Sequence, residues 1–168
     1  GPVTLPNGYS YYGQNDDDGY DKRPTKMVKE ACQAVDGSVD FSKYDWDGDG
    51  EVEEVFVVYA GNGEHDTTNQ PNLIWPHMDN LANYKEQLTL DGVTINTYAC
   101  ASELNSDKTL SGIGTFCHEF SHCMGFPDMY DTASDGNNFG MGSWDLMDYG
   151  SYNGDGYVPA GYSGYEKM

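Results

Sequence analysis

The chain has 168 residues, 8 of them Lys or Arg and 28 Asp or Glu, for a formal net charge of −20. That length suits a single domain, and that charge argues against nucleic acid and anionic membrane as partners, since both reward basic patches. No apolar run approaches the ~20 residues of a membrane span, and 14 tyrosines among 14% aromatic residues fit a folded domain, not a disordered chain.

In chain order, residues 1–24 are rich in Gly, Tyr and Asp and read as an irregular surface segment or a short edge strand. The acidic run Asp16–Asp18, with Asp21, reads as solvated charge before it reads as a cation site. Thr25 suits the N-cap of a helix over Lys26–Val35, with Met27, Val28, Ala31, Cys32 and Val35 at helical spacing and Gly37 as its stop. The acidic loop Asp45–Gly50 follows. Val55–Ala60 is β-branched and apolar on both faces, which predicts a central buried strand ended by Gly61. Pro71–Tyr84 reads as irregular. Leu88–Leu90, the pair Asp91–Gly92, and Val93–Tyr98 give a hairpin. A second helix is predicted over Ser111–Met124, its stripe Ile113, Phe116, Cys117, Phe120 and Met124 facing the core and Gly125 ending it. Pro159 is expected to open a last helix that runs into the chain end at Met168. With Gly1 in place of Met and no signal peptide, the chain is expected to be a mature or excised piece of a longer protein.

Cys32, Cys100, Cys117 and Cys123 allow two disulfides in three connectivities. Cys117 and Cys123 sit about 240° apart around a helix, so they do not pair with each other. One bridge, or small buried apolar side chains, are both consistent with the spacing.

The chemistry concentrates in His118–Glu119–Phe120–Ser121–His122, on the second predicted helix. Residues i and i+4 lie about 40° apart around the axis, so both imidazoles project from one face and can hold one ion. Glu119 flanks that face, close enough to a water on the ion without being a ligand. This is the H-E-x-x-H arrangement of zinc peptidases. Two neutral nitrogen ligands hold Zn²⁺, a position stays open for water, and a carboxylate takes the water's proton. The pattern continues as H-E-x-x-H-x-x-G-x-x-D. Gly125 allows a sharp turn because a positive φ costs it nothing, and Asp128 then returns as an oxygen ligand. In metzincins that position is usually histidine. Asp131 is a lower-ranked alternative. Met147 follows 19 residues after Asp128, within Trp144–Tyr149, where a metzincin carries its Met-turn.

The stretches HEFSHCMGFPDMYD, SWDLMDYG and DFSKYDWDGDGEVEEVFVVYAG resemble the immune inhibitor A family of secreted bacterial metallopeptidases, within the metzincins. The resemblance runs from about Val39 to Met168. It implies an α+β fold: a twisted mixed β-sheet, an active-site helix, and a small lower lobe with a Met-turn. The catalytic domain would fill residues 1–168, with an upper subdomain of about 1–125 and a lower one of about 126–168, cut short at its C-terminal helix. It further implies zinc held by His118, His122 and Asp128, with Glu119 as base, a protein or peptide substrate, an extracellular location, and a precursor with a pro-segment and further domains. Tyr149 resembles the tyrosine some metzincins place near the metal to stabilise the oxyanion, though it is also one of 14 tyrosines that could simply pack.

The loop Asp45–Trp46–Asp47–Gly48–Asp49–Gly50–Glu51 matches the start of a D-x-D-x-D-G calcium loop. Asp45, Asp47 and Asp49 would converge on Ca²⁺, Glu51 would offer its carbonyl, and Glu53 or Glu54 would close the site. Position twelve is Phe56, so this is not an EF-hand. Three convergent carboxylates repel one another without a cation. The expected function is that of a zinc endopeptidase. The alternative is a non-catalytic, calcium-stabilised binding module that keeps the metal-site helix only as structure.

Overall fold

The computed structural model describes residues 1–133 and 136–168. A short helix α1 (Tyr9–Gly13) buries Tyr12 within the segment expected to be irregular. Helix α2 (Pro24–Val35) begins one residue before Thr25, so Thr25 lies inside its first turn and does not cap it. Pro24 takes the first helical position instead, where a missing N–H is harmless and a fixed φ is already helical. Met27, Val28 and Cys32 of α2 are buried, as their spacing predicts.

Among the described residues six strands follow: β1 (Glu51–Val52), β2 (Val55–Asn62), β3 (His77–Asn80), β4 (Leu88–Leu90), β5 (Val93–Ile95) and β6 (Thr97–Leu104). They form two three-stranded mixed sheets, ordered β1-β5-β4 and β2-β6-β3, where one sheet was expected. The β4–β5 hairpin turns on Asp91 and Gly92, both at positive φ, the geometry an Asp-Gly pair favours. The predicted strand Val93–Tyr98 is broken at Asn96, so β5 and β6 serve different sheets.

The central strand of the second sheet is β6, not β2. β6 pairs with β2 in parallel and with β3 antiparallel, leaving β2 at an edge with Val58 59% exposed. Apolar residues on both faces do not distinguish a central strand from an edge strand covered on each side; only the pairing partners do. β3 was missed because His77–Met78–Asp79–Asn80 carries little strand propensity; its four register pairs with β6 hold it.

Tyr98 and Cys100 of β6 enter a core with Tyr12, Met27, Val28, Cys32 and Tyr59. Ala99 and Ala101, also buried, alternate to the other face. Their small side chains admit helix α3 (Ile113–Cys123), which packs on β6. The apolar stripe of α3 is only partly covered, with Ile113 60% and Met124 53% exposed. Phe116 packs against Phe56 of β2 with ring centroids 4.1 Å apart and planes tilted by 41°. The buried positions of α3 are Gly114, Glu119 and Ser121. No helix follows Pro159; residues 164–167 form a turn. Gly161 and Gly164 leave that segment too little helix propensity to offset nucleation. All four cysteines are free.

Candidate metal centre and active-site cleft

Helix α3 carries His118 and His122 one turn apart, with ring centroids 4.8 Å apart at 88°. Each ring is fixed by its Nδ1. That of His118 lies 2.9 Å from the Leu146 carbonyl, and that of His122 lies 2.7 Å from the Phe126 carbonyl. A carbonyl only accepts, so each Nδ1 carries the proton and each neutral Nε2 presents a lone pair. The chain supplies these carbonyls by turning back under the helix. Gly125 ends the turn at φ 92°, in the left-handed region, and delivers Phe126. Phe126 is anchored by stacking on Tyr162 at 4.7 Å.

The two Nε2 atoms are 3.2 Å apart, and each is 3.2 Å from Oδ1 of Asp128. Three acceptors thus converge on one point. Bonds of about 2.0–2.1 Å at tetrahedral angles would place ligand atoms about 3.3 Å apart, so the triangle has the dimensions of three corners of a zinc site. One proton would satisfy a single pair, whereas a divalent cation would satisfy all three acceptors together. Hydrogen bonding of each ligating imidazole to a backbone carbonyl is the usual outer support of such a centre. Asp131 is not among the converging atoms; its carboxylate accepts from the Ala133 and Asn138 amides.

The electrostatics are those of a partly buried cluster. Burial alone would raise the Asp128 carboxyl, but the His118 and His122 imidazoles, which donate to it when protonated, and the Tyr130 hydroxyl outweigh burial and hold it well below the ordinary range. Burial works against the charged form of both histidines, yet Asp128 and the backbone carbonyls raise their pKa values. Glu119 is 8% exposed, and burial raises its pKa against the pull of His118, His122 and His77. Its carboxylate lies within 4.8 Å of a ring nitrogen of each imidazole.

Below the histidines lies a tight turn. Met147 is fully buried, and its carbonyl accepts from the Met129 amide at 2.8 Å. Two buried carboxylates shape the turn. Asp145 accepts from the Met147 and Ser163 amides, and Asp148 from those of Met141, Gly142 and Tyr149. Tyr149 is 67% exposed and borders a cleft of about 380 Å³ with His118, Glu119, Tyr130 and Trp75. His65 and Tyr152 also line that cleft. Neither was singled out from the sequence, where nothing local distinguishes a lone histidine or one tyrosine of fourteen.

The acidic loop lies before β1, and oxygens of Asp45, Asp47 and Asp49 fall within 4.8 Å of one another. Each carboxylate also accepts from loop amides: Asp45 from Gly48 and Gly50, Asp47 from Asp49, Asp49 from Glu51. Glu53 braces the loop by accepting from the Trp46 and Asp47 amides at 2.6 and 3.2 Å. Glu54 is turned away and interacts with Cys123. The side chain of Glu51 is exposed.

The family described as immune inhibitor A peptidase M6, catalytic domain, matches residues 1–168. Immune inhibitor A of Bacillus thuringiensis subsp. alesti is 26% identical over 188 residues, covering 96% of this chain and 27% of its own length. The pre-pro-metalloprotease PrtV of Vibrio cholerae serotype O1 (strain M66-2) is 26% identical over 185 residues, covering 95% of this chain and 20% of its own length. The chain therefore spans about a quarter or less of the relatives it matches.

Proposed function

This chain belongs to the immune inhibitor A peptidase family M6, and from that premise we propose that it is the catalytic domain of a zinc-dependent endopeptidase. The observation that carries the proposal is the convergence of three acceptors, His118 Nε2, His122 Nε2 and Asp128 Oδ1, at 3.2 Å beside the buried Glu119. These three would hold Zn²⁺, which when bound would polarise the scissile carbonyl and lower the pKa of a coordinated water toward about 7. Glu119 takes the proton from the attacking water and returns it to the leaving amine. Its burial suits both tasks, since a carboxyl with a raised pKa binds a proton firmly enough to carry it. Tyr149 reaches the cleft and can steady the carbonyl oxygen. Met147 and its turn play the part of a metzincin Met-turn, forming a floor under the histidines. Gly125 divides an upper subdomain of about 1–125 from a lower one of about 126–168.

The protein or peptide substrate lies along the cleft past Trp75 and Pro76, which precede β3. Calcium binds at Asp45, Asp47 and Asp49, with Glu53 as the bracing carboxylate. The protein acts outside the cell. It is made with a pro-segment and further domains, in keeping with the pre-pro form named for the Vibrio relative and with that protein's length. Peptidase-family membership and the convergence of acceptors favour this reading over a non-catalytic binding module.

The test combines elemental analysis with cleavage of a casein-type substrate, with and without chelator. One zinc per chain and chelator-sensitive cleavage are expected. His118→Ala and Asp128→Ala should lose zinc. Glu119→Gln should keep zinc and lose hydrolysis by at least ~10²-fold. Full zinc occupancy in His118→Ala, or cleavage indifferent to chelator, overturns the proposal.

A further inference from the structure

We propose that His65 is a catalytic residue whose Nε2–H donates a hydrogen bond to the scissile carbonyl oxygen as that oxygen gains negative charge. The inference rests on the peptidase reading above and adds to it a second, more rigid donor than the exposed Tyr149.

His65 follows β2 in a single 3-10 turn, Glu64–Asp66, and its ring lines the cleft that holds His118 and Glu119. Both flanking residues are tied down. The Glu64 amide donates to the Ile74 carbonyl at 3.0 Å, and the Glu64 carboxylate accepts from Asn15 Nδ2 at 3.0 Å. Asp66 accepts from the Ser106 amide at 2.6 Å. The ring itself stacks on Tyr152, with centroids 6.3 Å apart at 25°, and meets Trp75 edge-on at 6.5 Å. A side chain held this way is set before substrate arrives, which is what transition-state stabilisation requires of a donor.

The two ring nitrogens stand in different surroundings. Among the described residues, Nδ1 is buried without a hydrogen-bond partner. The backbone shelters it so closely that a Cβ on Gly63 would come within 2.7 Å of it. A proton placed there would be a buried donor with nothing to accept it. The proton therefore belongs on Nε2, the other nitrogen of a ring that lines the cleft. Burial also lowers the pKa of this imidazole, with Asp66 opposing. A neutral ring donates through Nε2 without placing a second positive charge beside the bound metal.

The experiment measures kcat and KM for His65→Phe, which keeps a ring to stack on Tyr152 but has no donor, and for His65→Gln, whose amide nitrogen reaches the place of Nε2. Zinc content and melting temperature are read on each. For His65→Phe, kcat should fall ~10²- to 10³-fold, the usual cost of one oxyanion donor, with KM within about threefold and zinc unchanged. His65→Gln should recover at least about tenfold of the loss. Affinity for a phosphinic peptide, which mimics the tetrahedral oxyanion, should weaken in step with kcat/KM, while affinity for a product peptide stays level. A kcat within threefold of wild type, or a loss confined to KM, overturns the inference. If His65→Phe does not fold, His65→Gln is compared with His65→Asn, whose amide reaches only the place of Nδ1; equal kcat values overturn it. A wild-type enzyme insensitive to chelator, or an active Glu119→Gln, would instead sink the zinc-and-Glu119 reading on which the inference rests.

Discussion

Asp21 shows how far one buried carboxyl can depart from its solution behaviour. Its Oδ2 accepts from the Trp75 amide at 3.1 Å, while Oδ1 is buried without a partner among the described residues. Burial raises its pKa to about 7; the Trp75 amide and His77 oppose the rise and Glu64 adds to it. The folded state therefore keeps this proton through the window from about pH 4 to 7, in which the unfolded chain has already released it. Stability contributed at low pH is lost as pH rises through that window, by at most a few kcal/mol at about 1.4 per pKa unit. Asn at this position does not titrate and still accepts from the Trp75 amide. The melting temperature of Asp21→Asn should therefore gain on wild type steadily between pH 4.5 and pH 8, with zinc and calcium held constant. Parallel pH dependences in the two proteins would show that Asp21 ionises freely when folded.

Two elements owe their form to different forces. Helix α3 is specified locally: histidines at i and i+4 share a face whatever surrounds them, and Gly125 stops the chain where a positive φ is needed. The acidic loop is held by its own carboxylates, each accepting loop amides. A calcium ion bound there, as proposed above, would relieve repulsion among Asp45, Asp47 and Asp49. It would stabilise the native state by RT ln(1 + [L]/Kd), about 2.7 kcal/mol at a hundredfold excess over Kd. With zinc fixed, wild type should melt higher as calcium is added, and Asp47→Asn should respond much less. Identical melts at every calcium level would reduce the loop to a solvated acidic turn. The strands are another matter. β2 reads as central and stands at an edge, and β3 reads as loop and forms a strand. Strand order depends on partners remote in sequence, which local pattern does not encode.

Across the whole molecule the net charge of −20 is scarcely offset. Lys29 with Glu86 at 2.7 Å is the closest of the ion pairs found among the described residues, and it is partly exposed. Such pairs contribute little, so self-repulsion should dominate the long-range electrostatics. The Debye length falls from about 30 Å at 0.01 M salt to about 10 Å at 0.1 M. Raising sodium chloride across that range, at constant zinc and calcium, should lift the melting temperature by several degrees, since ~1 kcal/mol corresponds to about 2–4 °C for a domain of this size. A flat or falling melting temperature would mean that the acidic residues are balanced locally despite their number.

The amino-acid sequence by itself determined what spacing and backbone preference control. These are the His118–His122 face, the flanking Glu119, the left-handed stop at Gly125, the Asp91–Gly92 hairpin, and the buried side of α2. Each depends on residues within a turn or two of one another. Tertiary structure alone decided that β6 lies between β2 and β3 and that the apolar stripe of α3 stays partly exposed. It also decided which distant groups meet: the Leu146 carbonyl under His118, and His65 across the cleft from a helix that begins at Ile113. Such meetings are set by burial and pairing summed over the chain, where no short stretch carries the signal.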